Sequence, residues 1–288
     1  MINPKSGSDR KTDRVALVRS LLSDKYEATI FEWKKITDRD SIFHSVLTGG
    51  FDIAVAVGGD GTVSQLASAL CGSNVALGII PFGSGNGLAR HLQIPLNSVD
   101  AMKLIETGVI QTIDKGTING QDFFCTCGTG FDARIGHLFA HSSRRGFWTY
   151  ARLILREYSK YDHEHYRITM DGKTIERDAF LVTVANAGQY GNGTWIAPTA
   201  MVNDGQLRVV VLKPFRWWKI PSLVRKVFRK QMQHSKYAET YTAKEIRIER
   251  ASHGPAHFDG EPADMDAVLE IKVVPACLKV VVNPDFTG

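Results

Sequence analysis

The sequence lacks any apolar run of about 18 or more residues, the length a helix needs to cross a bilayer. Met1-Ile2-Asn3-Pro4 has neither a basic stretch nor an apolar one behind it, so no secretion signal is read there. Cysteine is scarce. The four residues, at 71, 125, 127 and 277, follow neither a disulfide framework nor a zinc-ligand spacing. Cys125 and Cys127 fall in an apolar strand-like run, where buried reduced thiols are expected. Internal repeats and low-complexity tracts are also missing, which excludes a solenoid and a linker-rich chain. What is left is a folded protein, expected in the cytoplasm and in contact with the inner membrane surface only peripherally.

The 288 residues suggest two domains of about 150 residues each, and 43% hydrophobic with 23% charged residues is ordinary globular composition. A formal charge of +5 suits a polyanionic partner such as ATP or an anionic membrane. Nucleic acid is not expected, because basic residues are interleaved with aromatics only around Trp217-Trp218.

Two grammars divide the chain. Up to about residue 110, strands and helices alternate. Ala28–Trp33, Asp52–Val57 and Ala76–Pro81 read as strands, the second apolar throughout, as a strand covered on both faces should be. Val15, Val18, Leu21 and Leu22, then Ile42, Phe43, Val46 and Leu47, recur at helical spacing, and Gly49-Gly50 stops the second helix. Helix Val63–Leu70 follows. Such alternation implies a Rossmann-like, doubly wound parallel sheet whose ligands lie at the C-terminal strand ends. From residue 111 to 282, hairpin signals take over. Asn119-Gly120 and Asp171-Gly172 each separate strand-like runs. Phe180–Ala185, Gln206–Leu212, Glu245–Glu249, Ala267–Val274 and Leu278–Val282 complete the pattern of an antiparallel β-sandwich. Helical stretches Gly146–Tyr158 and Ile220–His234 interrupt it, and residues 283–288 are expected to return to the first domain.

Three glycine-bearing segments carry the chemistry. Gly58-Gly59-Asp60-Gly61-Thr62 follows a buried strand and opens a helix, where bare backbone and a helix N-terminus favour phosphate. Thr62 adds a hydroxyl donor. Asp60 is out of place in a phosphate cradle unless it orients the loop, a metal ion or a substrate hydroxyl. Pro81-Phe82-Gly83-Ser84-Gly85-Asn86-Gly87 repeats the arrangement after the next strand, so two turns could floor one nucleotide. Asn3-Pro4-Lys5-Ser6-Gly7 is a further turn with a positive charge. A late Asp259-Gly260-Glu261 reads on its own as an acidic turn.

Asn-Pro-x-Ser-Gly, Gly-Gly-Asp-Gly-Thr, a Gly-Ser-x-Asn turn and a late Asp-Gly-Glu, in that order from residue 3 to 261, resemble the diacylglycerol kinase catalytic-domain family. That family includes bacterial soluble lipid kinases, sphingosine kinases and ceramide kinases. The resemblance implies a nucleotide domain and a β-sandwich with ATP and lipid meeting in the cleft, and transfer of the γ-phosphoryl group of ATP, with Mg²⁺, to a lipid hydroxyl such as that of diacylglycerol or a sphingoid base. By matching motifs, Asn3, Pro4, Lys5, Ser6, Gly7, Thr37, Gly58, Gly59, Asp60, Gly61, Thr62, Gln65, Gly83, Ser84, Gly85 and Asn86 would bind nucleotide. Asp259 would be the general base. Asp204, with the backbone carbonyls of Met201 and Gln206, would hold a structural Mg²⁺, against the plainer reading of Asn203-Asp204-Gly205 as a hairpin turn.

This chain departs from the family pattern in three places. Gln65 stands where Glu is usual, Gly87 where many bacterial members have Asp, and only Met1-Ile2 precede Asn3, where an apolar first strand is expected. Two rival readings follow: an NAD kinase-like enzyme on the related scaffold, and a catalytically weak nucleotide or lipid sensor. For a lipid kinase the expected partners are a lipid acceptor, a membrane surface touched peripherally and a second copy in a homodimer. Phe215-Arg216-Trp217-Trp218-Lys219-Ile220 leads into a helix with Ile220, Leu223, Val224, Val227 and Phe228 on one face, fit either to pack on the sandwich or to meet lipid. Arg144, Arg145, Arg152 and Arg156 pose the same alternative.

Overall fold

The structure, a computed structural model, describes residues 1–2, 13–23, 26–33, 36–140, 153–154 and 156–288. The chain forms two units. Met1–Asp114 and Ala276–Gly288 make the first, and Lys115–Pro275 the second. The sequence placed the change near residue 110 and the return at residue 283.

In the first unit, helices α1 (Arg14–Leu21) and α2 (Arg39–Thr48) precede strand β1 (Ile53–Gly58). Helix α3 (Asp60–Leu70), strand β2 (Ala76–Pro81), and helices α4 (Gly87–His91) and α5 (Ser98–Thr107) follow. The caps are local and chemical. The Asp13 carboxylate accepts the N–H groups of Val15 and Ala16, and the Asn97 side chain those of Val99 and Asp100. β1 and β2 pair in parallel, from Ile53 opposite Ala76 to Gly58 opposite Pro81. Their last residues therefore end side by side, and both glycine-rich turns start there.

The expected strand over Ala28–Trp33 is reduced to a single bridge. Ile2 donates its N–H to Phe31 (2.8 Å) and accepts that of Trp33 (2.9 Å), while Val57 donates to Met1 (2.9 Å). Ile2 thus pairs in parallel with both Val57 and Glu32. The sheet position that seemed empty in the sequence is filled by Met1-Ile2.

Strand β3 (Val109–Ile118) crosses from the first unit into the second. Strands β4 (Gln121–Phe123) and β5 (Thr126–Gly130), helix α6 (Phe131–Ala140), and strands β6 (Glu164–Met170), β7 (Lys173–Ala179) and β8 (Leu181–Ala185) come next. Then come β9 (Gln189–Gly191), β10 (Thr194–Trp195), β11 (Leu207–Leu212), helix α7 (Ile220–Phe228), β12 (Ala238–Ala243), β13 (Glu245–Glu249), β14 (Gly254–Phe258), β15 (Glu261–Met265) and β16 (Val268–Val282). One sheet runs β12-β11-β8-β5-β14-β15; the other pairs β16 with β13, β13 with β6 and β6 with β7. Buried residues of both sheets, among them Tyr166, Ile168, Val182, Val184, Val209, Val211, Ile246 and Ile248, make the core between them. This is the antiparallel sandwich the turn signals called for. Asn119 (φ 46°) with Gly120 and Asp171 (φ 45°) with Gly172 close their hairpins in the left-handed region, as two-residue turns require.

Three elements differ from the sequence reading. Ala267–Val274 and Leu278–Val282 are one strand, bent at Ala276 (φ 51°) and carried on from the second unit to the first, where Val280 pairs with Leu77 of β2. α7 stops at Phe228 instead of reaching His234, because Lys230 takes φ 56° and a separate turn follows at Met232–His234. The Gly146–Tyr158 helix falls largely outside the described residues, as do Arg144, Arg145 and Arg152.

Candidate functional site

The two glycine-rich turns meet backbone to backbone. A methyl group on Gly83 would lie 2.7 Å from the Cα of Gly59, and one on Gly59 would lie 3.2 Å from the Cα of Gly83. Gly83 has no room for a side chain, and at Gly59 a methyl group would be tight against the facing backbone. The contact is pinned by Asp60, whose Oδ2 accepts the Asn86 N–H (2.9 Å) and whose Oδ1 accepts the Gly87 N–H (2.6 Å). Gly85 leaves room for that carboxylate, since a Cβ there would be 2.9 Å from Oδ2. Asn86, in the left-handed region at φ 51°, closes the turn on itself: Oδ1 accepts the Gly83 N–H (2.9 Å) and Nδ2 donates to the Gly83 carbonyl (2.8 Å). Of the three roles open to Asp60 in the sequence, the structure shows the first, orienting the loop.

Thr62 is buried, its side chain packed where a Cβ on Gly58 would fall, at 2.6 Å. Gln65, one turn further along α3, has its Oε1 buried with no hydrogen-bond partner among the described residues. Gly61 lies in the first turn of α3, and Ser84 between the two glycines of the second loop. Thr37 is exposed in the turn Ile36–Asp38, with its hydroxyl toward Asp38 Oδ1 (3.3 Å). Asn3, Pro4, Lys5, Ser6 and Gly7 lie outside the described residues. Two cations escaped the sequence reading. Arg90 donates from Nε to the Gly85 carbonyl (3.0 Å), and the buried Arg14 places its guanidinium 4.9 Å from the centre of the Phe82 ring.

In the second unit, Asp259 and Gly260 form the left-handed turn (φ 48° and 80°) between β14 and β15. The Asp259 carboxylate accepts three backbone N–H groups: Phe124 at Oδ2 (2.8 Å), and Cys125 (2.7 Å) and Thr126 (3.2 Å) at Oδ1. On the other side of the same segment the buried Asn186 donates from Nδ2 to the Phe124 carbonyl (2.9 Å). The acidic turn is therefore locked to the chain entering β5. Cys125 and Cys127 are buried free thiols. Burial, with the charges of Asp259 and Asp132, pushes the Cys127 thiol well up, which leaves it protonated and inert.

A polar cluster that no motif announced lies on the neighbouring strands. Asp132, in the first turn of α6, accepts at Oδ2 from the Thr183 hydroxyl (3.0 Å) and the Tyr190 hydroxyl (2.8 Å), with His257 Nε2 at 3.1 Å. Burial alone would raise the Asp132 carboxyl. The His257 charge and the hydrogen bonds from His257, Tyr190 and the Ala133 N–H outweigh it and hold the group below the usual carboxylate range. The one available signal was His257 on β14, two residues before Asp259.

At the proposed structural Mg²⁺ site, Asp204 is already engaged by the chain's own groups. Asp204 Oδ1 accepts the Gln206 N–H (3.0 Å), and Oδ2 is paired with the guanidinium of Arg208, both side chains being largely buried. The turn carries its own cation, and Arg208 would repel a metal bound to the same carboxylate. Met201 is exposed. Among the described residues no group of three His, Cys, Asp or Glu side chains could hold a metal ion.

These features have clear relatives. The diacylglycerol kinase catalytic domain matches residues 1–118, and the YegS C-terminal NAD kinase β-sandwich-like domain matches residues 125–282. A Mycobacterium tuberculosis protein named "Diacylglycerol kinase" is 30% identical over 255 residues, covering 84% of this chain and 81% of its own. A Yersinia enterocolitica protein named "Probable lipid kinase YegS-like" is 28% identical, covering 80% and 79%. The crystal structure of a diacylglycerol kinase from Bacillus anthracis superposes with a TM-score of 0.75 at 24% identity, covering 99% of this chain and 96% of that one. An NAD kinase from Archaeoglobus fulgidus, in complex with ATP, shares the fold alone (TM-score 0.55, 12% identity, 96% and 92% covered). With both halves matched in order and the glycine turns built as a pair, this chain belongs to the diacylglycerol kinase catalytic-domain family.

Proposed function

We propose that this protein is an ATP-dependent lipid kinase that transfers the γ-phosphoryl group to a lipid hydroxyl, of diacylglycerol or a sphingoid base. The observation that carries the reading is the paired glycine turns. Two stretches of bare backbone are held against each other at the C-terminal ends of two parallel strands, beside the N-terminus of the 11-residue helix α3. Backbone N–H groups there suit phosphate oxygens, and a fixed geometry suits a transfer whose loose transition state needs positioning and charge neutralisation. The Asp60 clamp supplies that fixity before nucleotide arrives. Asn3–Gly7, Gln65 and Thr37 complete the nucleotide assignment. Asp259 is assigned the proton of the acceptor hydroxyl, and its three backbone hydrogen bonds hold the carboxylate in one orientation for that task.

The test is transfer of labelled γ-phosphate from magnesium ATP to a panel of lipids in mixed detergent micelles, with NAD as a parallel acceptor. A labelled lipid whose formation depends on Asp259 is the expected result. Labelled NADP would move the protein to the NAD kinase reading, and nucleotide binding without any labelled product would leave a sensor.

A further inference from the structure

The segment from Lys213 to Lys236 contains eight Lys or Arg residues and no Asp or Glu. It includes α7, a helix that is apolar on two sides. Its inner stripe, Leu223 and Val227, packs against the cluster on the outer face of the six-stranded sheet, with Phe180, Val210 and Leu212. Its outer stripe is left partly open among the described residues. Val224 and Phe228, one turn apart, are 43% and 45% exposed. The face the sequence grouped as one is thus split, half in the core and half in solvent.

The turn that leads into α7 adds the two most lipid-adapted side chains of the patch. Trp217 and Trp218 stand edge to face with ring centres 6.0 Å apart, and they are 66% and 49% exposed. Arg216 lies over the Trp218 ring at 4.9 Å. Around them Arg216, Arg225, Arg229 and Lys230 are exposed. Four large apolar side chains left in water within a dozen residues are costly unless something covers them. The uniformly positive rim says what that cover is: an apolar medium with a negative surface.

We propose that Trp217, Trp218, Val224 and Phe228 form a docking patch that inserts into the headgroup region of an anionic lipid bilayer, with the surrounding arginines and lysines on the lipid phosphates. Indole rings prefer that interfacial depth, and basic residues near it each add about 1 kcal/mol of attraction, or roughly fivefold in affinity. The inference deepens the lipid-kinase reading by naming where an acceptor held in a membrane is approached. None of its residues belongs to either glycine turn or to the Asp259 turn.

The experiment is vesicle co-sedimentation without nucleotide, comparing phosphatidylcholine alone with an equal mixture of phosphatidylcholine and phosphatidylglycerol. The wild type is expected to bind the mixed vesicles and to be released by high salt. Arg225→Ala/Arg229→Ala should bind roughly 20-fold more weakly, and Trp217→Ala/Trp218→Ala at least about tenfold more weakly, with unchanged melting temperatures. Phe228→Ser serves if the tryptophan variant fails to fold. Unaltered partitioning of these variants, or equal binding to both vesicle types, overturns the proposal. So does a dimer in sedimentation velocity that the tryptophan substitutions dissociate, since the patch would then face a second copy. Turnover on detergent-dispersed lipid separates the two readings. A chain active in micelles that ignores vesicles loses the docking patch but keeps the kinase, and one that binds vesicles but transfers nothing does the reverse.

Discussion

Replacing Asp60 with Ala removes the acceptor of two backbone N–H groups, those of Asn86 and Gly87, at 2.9 and 2.6 Å. Hydrogen bonds to a charged group contribute about 1.5 to 3 kcal/mol each, and an N–H left unmade in a part-buried site loses much of that. Asp60 is half-buried, so the lower end applies. A total loss of about 2 to 3 kcal/mol is expected, which for a chain of this size lowers the melting temperature by roughly 5 to 10 °C. The second glycine turn loses its only side-chain tie to the first strand's turn among the contacts described above. Nucleotide affinity should fall with stability, and turnover with both. Thermal unfolding followed by circular dichroism and ATP binding by calorimetry read the two effects. If Asp60 acted on a metal or on the acceptor hydroxyl instead, the Ala variant would melt and bind ATP like the wild type and fail only in turnover. That pattern would refute the clamp.

Gly83→Ala should abolish ATP binding, since its methyl group meets backbone at 2.7 Å, whereas Gly136→Ala, a helical position open on all sides, should stabilise by about 0.5 to 1 kcal/mol; thermal melts and nucleotide titration check the pair. Asp259→Asn should lower kcat by about 10² to 10⁴ with ATP affinity kept, and a variant near wild-type turnover removes the base assignment. Because Arg208 already neutralises Asp204, chelation of divalent cations should leave the melting temperature of the nucleotide-free protein unchanged, while Arg208→Ala should lower it; a drop on chelation alone would restore the metal. The thiols of Cys71 and Cys277 lie 2.9 Å apart, 206 positions from one another in sequence. A diazene oxidant such as diamide, itself reduced to the hydrazine, should take their two hydrogens and leave a disulfide that raises the melting temperature; an unchanged intact mass refutes it.

Much of this was legible because the signals were local. Ile53–Val57 is apolar throughout because β1 is covered on both faces, and Asn119-Gly120 turns where only left-handed backbone will do. The glycine turns could be placed for the same reason, as punctuation after strands. What the sequence did not show is long-range. Nothing near Asp60 says that its partner is the N–H of a residue 26 positions on, and nothing near Asp132 points to His257, 125 positions away. The expected strand at Ala28–Trp33 is described only as a bridge at Glu32, because pairing is set by what lies alongside and not by the segment's own composition. Ala267–Val282 was divided at Pro275-Ala276, a pair that usually ends a strand and here only bends one. The partner of Asp204 also lies outside its motif, at Arg208, four positions beyond it.

Asp60 and Asp259 serve one structural purpose in two different units: each carboxylate takes N–H groups of a segment far along the chain and so ties that segment to its own turn. Any substitution there mixes a structural loss with a chemical one, and the geometry says how to separate them. An amide keeps one acceptor oxygen and turns the other into a donor. At Asp60 the two bonds are divided evenly between the oxygens, so Asn keeps at most one of two. At Asp259, Oδ1 takes two of the three, so Asn can keep those from Cys125 and Thr126 and lose only that from Phe124. Asp60→Asn should therefore lose stability and turnover in step. Asp259→Asn should lose about 1.5 to 3 kcal/mol of stability at most, yet far more in rate than that structural loss would explain, since a proton acceptor has gone. Equal proportions at the two positions, measured by melts and kcat side by side, would make Asp259 a second clamp and leave the acceptor's proton to another group.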